Sequence, residues 1–523
     1  MTTHESPESG CPCCSASRLA LLGGQWSRRD FLGGMTTAAT AALVLSPTVL
    51  RAANNLGPAA LRPPGRKPLR MQPVLVYETP VRREQTSWRS WGGIQTEADA
   101  AKEQTVIAEE LAKMKEKAGF PLEVLPVCRC KTPDQAAEIR AGDHDGVILY
   151  AAGGWLNLQE ALTDPAKWNL MFVRHRSGPV YLWYEIAHNR YLRKTVDEFG
   201  QPGMDVDDVV VDNHEELLWR LRALAGLKNT LGKRMIAIGG PAGWGEGGRK
   251  APDLAREQFK MELVDVSYDE LAKLIRQAND DAALVTACKQ QAANYLDDPG
   301  VSLETDRGFV ERAFLLTEVF KHLMAAADTD AITVNHCMGT IMGMSQTTAC
   351  MPLSLLNDAG YLAFCESDFV VIPSGVLLHY IAGTPVFLND PTYPYEGLVT
   401  LAHCTAPRKM DGVSAEKVRI LTHFESDYGA APKVEMRLGQ QVTNLIPDFN
   451  SRKWVGFRGT IKANPFLDIC RSQIDVAFEG STGTLLREMK GFHWMTCYGD
   501  HLRETGYALK KVGIDWLNLS ASA

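Results

Sequence analysis

Three short apolar runs in the second half of the chain end in side chains able to bind a metal or move a proton. "YLAFC" runs into Glu366, with Ser367 and Asp368 behind it, "PVFLN" runs into Asp390, and "LVTLA" runs into His403. In an open α/β sheet, ligands sit beyond the C-terminal ends of the strands, so adjacent strands would bring these groups to one crevice. Two carboxylates brought together unpaired repel each other and lose solvation, and a divalent cation removes that conflict. Carboxylates with an imidazole suit Mn²⁺ or Mg²⁺ better than Zn²⁺ or copper, because their oxygens are hard ligands. A plainer reading stands beside this one. Glu366 and Asp390 can cap the turns that follow their strands, and Asp368 reads as the cap of the next helix. His403 can hydrogen-bond a substrate or sit as a satisfied core histidine.

Other motifs bear on the same crevice. "IGGPAGWGEGG" (238–248) follows a strand, as a phosphate loop would, but it has neither the G-x-G-x-x-G register nor a Walker lysine. No nucleotide cofactor is expected there. The loop is read as lining the crevice, with Trp244 as a ring for stacking, and Trp155 after "AAGG" is a further stacking candidate. "NHCMG" (335–339) ends another strand and turns Asn335 or His336 towards the same place. The chain has 12 cysteines without paired C-x-x-C spacing in its body, so neither a disulfide framework nor a zinc ribbon is indicated. Cys365 and Cys404 read as small buried apolar residues.

The elements that must position these groups follow a βαβ rhythm. After "PVLVYE" comes a helical stretch at 100–119 with Ile107, Leu111 and Met114 at helical spacing. "LEVLPV", "DGVILYAAGG", "LMFVR" and "PVYLWYE" continue the strands. A second set begins at "KRMIAIGG" and includes "ELVDVS", the helices "YDELAKLIRQAN" and 308–328, "AITVN", "YLAFCES", a helix at 369–382 and "PVFLND". From about Gly397 the pattern becomes strand after strand, "TLLREMKGFHW" among them. The expected fold is α/β: two Rossmann-like or flavodoxin-like parallel-sheet domains, at 71–230 and 231–396, then a C-terminal antiparallel barrel-like domain at 397–523.

With 523 residues, 45% of them hydrophobic, the chain has ample length for several cores. Its net charge of −7, from 55 basic and 62 acidic residues, argues against a nucleic-acid partner. Residues 1–53 read as an export signal: Arg28 and Arg29 precede a mild apolar stretch at 31–50 and the small residues Ala52 and Ala53. The order S-R-R-x-F-L resembles the twin-arginine class, which implies the twin-arginine export machinery as a partner and a periplasmic location, with anchoring by an uncleaved signal as the variant. "CPCC" at 11–14 would leave with the signal. Residues 54–70, rich in Pro, Gly and Arg, read as a linker.

The stretch from Met351 to Asp411, with "THFESDYG" (422–429) and "GFHWMTCYGDH" (491–501), resembles the L-fucose isomerase / L-arabinose isomerase group over roughly residues 330–510. The resemblance implies a metal, Mn²⁺ or Mg²⁺, held by Glu366, Asp390 and His493. It implies that Glu366 and Asp390 also move protons in an aldose–ketose isomerisation through an enediol. A carbohydrate substrate and a homo-oligomer, trimer or hexamer, are implied with it. Two other classes stay open: an exported sugar-binding or sensing protein without turnover, and a metal-dependent hydrolase or lyase acting on a sugar.

Overall fold

The computed structural model describes residues 65–89, 92–153, 156–179, 181, 192 and 201–521, together with the two-residue strand Leu43–Val44. The twin-arginine pair, the rest of the apolar stretch, "CPCC", Trp155 and most of "PVYLWYE" lie outside the described residues. No described helix is long and apolar enough to cross a membrane.

Residues 66–228 form one compact unit. Its central strands run parallel in the order Leu122–Val124, Leu69–Val76, Gly146–Ala151, Trp168–Val173, Val209–Val211. This 2-1-3-4-5 order is the flavodoxin-like doubly wound topology. Gly146–Ala151 is buried along its whole length, as a strand covered on both faces must be. The helix expected at 100–119 spans Glu97–Glu116. It starts at Thr96, whose side chain accepts from the Asp99 amide while the Asp99 carboxylate accepts from the Thr96 amide, a reciprocal cap. Arg174 ends the fourth strand fully buried, its Nε donating to Glu103 Oε1 (2.5 Å) and its Nη2 to Glu110 Oε2 (2.7 Å).

The second unit contains residues 229–523. Its parallel sheet runs Glu262–Val266, Arg234–Ile238, Ala331–Val334, Leu362–Cys365, with Leu43–Val44 paired beside Glu262–Val266. The helices Tyr268–Asp280 and Arg307–Ala326 supply buried faces, the latter through Val319, Phe320 and Leu323.

The C-terminal part is a closed antiparallel barrel. Gln441–Ile446, Trp494–Tyr498, Phe387–Pro391, Leu398–His403, Ser472–Phe478 and Lys453–Ala463 pair in that order, and the last pairs back to the first. Closure removes the free edges that an open antiparallel sheet exposes. A separate three-stranded sheet joins Val301–Leu303, Lys417–His423 and Tyr428–Glu435.

Two expectations are corrected here. "PVFLND" does not continue the parallel sheet. Phe387–Pro391 is a barrel strand, antiparallel to Trp494–Tyr498 on one side and to Leu398–His403 on the other, so the parallel-sheet part ends before residue 396. A short run that is buried on both faces reads alike in either kind of sheet. "TLLREMKGFHW" is not one strand: Thr482–Glu488 is helical, and the strand starts at Trp494.

The junction between sheet and barrel is the helix Ile372–Ala382, which is buried on every side from Ile372 to Ile381 and ends at Gly383 in a left-handed cap (φ 84°). At Gly375 the helix packs tightly: a Cβ there would lie 2.6 Å from Met495 Cε and 2.9 Å from Phe364 Cε1.

Candidate metal centre

The barrel register explains why three ligating residues meet. Asn389 stands opposite Trp494, and Asp390 stands opposite Ala402. His493 immediately precedes Trp494 and His403 immediately follows Ala402, so the two histidines flank Asp390 from the neighbouring strands. Asn389 ties the central strand down, its Nδ2 donating to Thr496 Oγ1 (3.0 Å) on the His493 strand.

Glu366 arrives from the other layer. The strand Leu362–Cys365 ends in two consecutive left-handed residues, Glu366 (φ 68°) and Ser367 (φ 46°). Such backbone costs on the order of 1–3 kcal/mol per residue and persists only where its surroundings enforce it. Here the Ser367 amide donates to Thr333 Oγ1 (3.1 Å), and the Ser367 carbonyl accepts from the Ala242 amide (3.1 Å). The Phe369 amide donates to the Ala242 carbonyl (3.0 Å). The Gly-rich loop thus pins the turn that presents Glu366.

The assembled cluster is buried. One ligand atom each from Glu366, His403 and His493 lies within 4.8 Å of the others. Glu366 Oε2 is 3.4 Å from His493 Nε2, and Glu366 Oε1 is 3.5 Å from His403 Nε2. Asp390 Oδ1 is 3.3 Å from His493 Nε2, and its side chain is the most accessible of the set at 19% exposed, against 8% for Glu366. Of the residues singled out by resemblance, Glu366 and His493 stand in one group with His403, and Asp390 approaches that group at His493. His403, read as a substrate contact, stands among them.

Asp368 corrects another expectation. It does not cap the following helix, whose N-cap is Val371 without a side-chain bond. Instead its Oδ2 accepts from His493 Nδ1–H (2.7 Å), while Oδ1 accepts from the amides of Val370 (3.1 Å) and Trp244 (3.3 Å). A carboxylate on Nδ1 fixes the tautomer that leaves Nε2 bare, the arrangement found behind metal-binding histidines. His403 Nδ1 is likewise engaged, 3.0 Å from Thr405 Oγ1.

The electrostatics follow from burial and proximity. Burial opposes the charge on Glu366, but His493 and then His403 outweigh it and hold the carboxyl far below its usual range. Burial likewise opposes a proton on His493, yet the fields of Glu366 and Asp390 and the bond to Asp368 raise it well above the usual imidazole value. His403 is raised too, against burial, chiefly by the nearby Glu366 carboxylate and the charge of Asp390.

The donor set fits a cation. Glu366 Oε2 and His403 Nε2 are buried without hydrogen-bond partners, and unpaired buried polar atoms of this kind are costly. One ion placed among them satisfies both.

The remaining candidates divide. Trp244 lies beside the centre, its ring 6.2 Å from His493 and 5.5 Å from Phe492. Asn335 follows the neighbouring strand, but its hydrogen bonds run to Ile238, Tyr268 and His336: its Oδ1 accepts from the His336 amide (2.9 Å), so its side chain is turned along its own loop. Neither protein-family models nor curated proteins give any match to this chain.

Proposed function

We propose that the protein is a divalent-metal-dependent aldose–ketose isomerase acting on a sugar or sugar derivative. The convergence of Glu366, Asp390, His403 and His493 carries this reading, and the likeness of residues 351–411 to the L-fucose and L-arabinose isomerases supplies the reaction. Glu366, Asp390 and His493 would hold the ion, with His403 beside them. Two carboxylate oxygens make the set suitable for Mn²⁺ or Mg²⁺. Such an ion, when bound, polarises a carbonyl and lowers the cost of charge on the adjacent oxygen.

The chain's own residues supply the rest. Asp390, the most open of the carboxylates, meets the substrate and takes the proton from C2, giving the enediol. Asp390 or Glu366 returns a proton to C1. Asp368 keeps His493 from offering its N–H to the site. Trp244 offers an aromatic face against which a sugar ring can stack. A binding protein without turnover has no need of two acids in this arrangement, which favours an enzyme over a receptor.

The deciding experiment incubates the metal-loaded protein with a panel of aldoses, ketoses, deoxy sugars and sugar acids in deuterated water. Metal-dependent interconversion with deuterium entering at C1 or C2 is expected, and Glu366→Gln abolishes it while sugar binding stays measurable. Bond cleavage without exchange would replace isomerisation with hydrolysis or lysis; binding without either would leave a receptor. Twin-arginine export to the periplasm and a homo-oligomeric assembly belong to the same proposal. Arg28→Lys with Arg29→Lys is expected to hold the protein inside the cell.

A further inference from the structure

Directly after His403 the chain enters a second buried cluster of a different chemical character. Cys350 opens the helix Cys350–Asp358, and Cys404 follows the barrel strand Leu398–His403. His423 ends the strand Lys417–His423, where a register shift breaks the pairing with Tyr428–Glu435, and Cys470 precedes the barrel strand Ser472–Phe478. All four are buried, between 2% and 4% exposed. The ligand atoms of Cys350, Cys404 and His423 lie within 4.8 Å of one another, and Cys470 belongs to the same buried cluster as Cys350 and Cys404. Ala402, Ala431 and Ile469 wall the cluster with apolar atoms, and none of the three cysteines is in a disulfide.

Burial of a single free cysteine is ordinary, because it behaves as a small hydrophobe. Two thiols and an imidazole already within coordinating distance, with a third thiol packed beside them, make a ligand set. Its surroundings are those of such a site. The Arg471 amide donates to Cys404 Sγ (3.4 Å), a bond that supports a thiolate. His423 Nδ1 is engaged by Ser426 Oγ (3.3 Å), which leaves Nε2 for a metal. Sulfur donors exclude Mn²⁺ and Mg²⁺ and select zinc-class ions.

We propose that Cys350, Cys404, Cys470 and His423 bind a zinc-class ion in a closed Cys₃His site, separate from the carboxylate–imidazole centre. With Cys470 turned in as the fourth donor the protein completes a tetrahedron and leaves no position for a substrate, so the ion is structural. It ties a helix start, two barrel segments and the hairpin at 417–435 into one knot. It also anchors the residue next to His403, and so holds one wall of the first centre in place. Binding of the ion displaces the thiol protons to solvent, with no change of oxidation state.

The test uses the full chain. After dialysis against a weak chelator, elemental analysis is expected to find about one zinc per chain, with X-ray absorption showing sulfur neighbours at about 2.3 Å. Replacement by Co²⁺ is expected to give a sulfur-to-cobalt charge-transfer band. The zinc persists in Glu366→Gln, which disables the first centre, so the two proposals fail independently. Cys470→Ala weakens zinc binding by more than about a hundredfold, beyond what loss of a merely orienting partner costs. If that variant does not fold, the wild-type absorption spectrum decides. A zinc shell of oxygen and nitrogen alone, a disulfide between any two of the three cysteines, or loss of the zinc in Glu366→Gln would overturn the assignment.

Discussion

Replacing Asp368 by Asn probes the centre without touching a ligand. The side chain keeps its shape, but only one of its terminal atoms can now accept. In the native protein both oxygens accept, Oδ1 from two backbone amides and Oδ2 from His493 Nδ1–H. If the Asn oxygen serves Val370 and Trp244, its NH₂ faces His493 Nδ1. It must then donate, which drives the imidazole proton to Nε2 and blocks the ligand atom. If the amide flips, two buried backbone donors lose their acceptor. Removing an orienting partner of a metal-bound histidine typically lowers affinity about 10–100-fold, and either arrangement here carries that cost, about 1.4–2.8 kcal/mol. Competition titration of Mn²⁺ against a chromophoric chelator measures it. Asp368→Ala, which removes the acceptor without reversing it, gives the comparison. A folded Asp368→Asn protein that binds Mn²⁺ as tightly as the native one would refute the role given to Asp368.

The other predictions are briefer. In the metal-free protein the raised His493 contributes stability in full below the unfolded imidazole value of about 6.5 and loses it as pH rises through its folded value, while the depressed Glu366 contributes in full above about 4.3 and loses it as pH falls. Denaturation midpoints are therefore expected to decline from about pH 6.5 upwards in the metal-free protein, and saturating Mn²⁺, which replaces the His493 proton, flattens that decline. Arg174→Leu leaves Glu103 buried without its cationic partner and is expected to cost about 3–5 kcal/mol, read as an earlier urea transition of the unit at 66–228. Gly375→Ala forces a methyl against Met495 and Phe364 and is expected to cost about 1–3 kcal/mol by the same assay, with weakened metal binding because Met495 lies two residues from His493.

How far the sequence foretold this molecule differs between its parts. The parallel sheets were legible because their strands are continuous apolar runs separated by stretches at helical spacing, such as Ile107, Leu111 and Met114. Glu366, Asp390 and His403 were legible as polar residues abruptly ending apolar runs. The route by which they meet was not, since Asp390 and His403 come from the barrel and only Glu366 from the parallel sheet. Asp368 was misread because an aspartate just before a helical run carries the signature of a cap, and its partner His493 lies far along the chain. The buried group of Cys350, Cys404 and His423 left no trace in spacing, because its members come from three separate segments whose proximity exists only after folding.

Closure of the barrel also sets a timetable. Glu366 and Asp390 are synthesised long before His493, which sits at the start of one of the last ring strands. Pairings so distant in sequence form late, because the intervening loop must first be brought together. A nascent chain stopped short of residue 493 would carry Glu366, Asp390 and His403 but lack both His493 and the strand that pairs with Phe387–Pro391. On the proposed reading, the full ligand set exists only in a chain whose last barrel strand has been made.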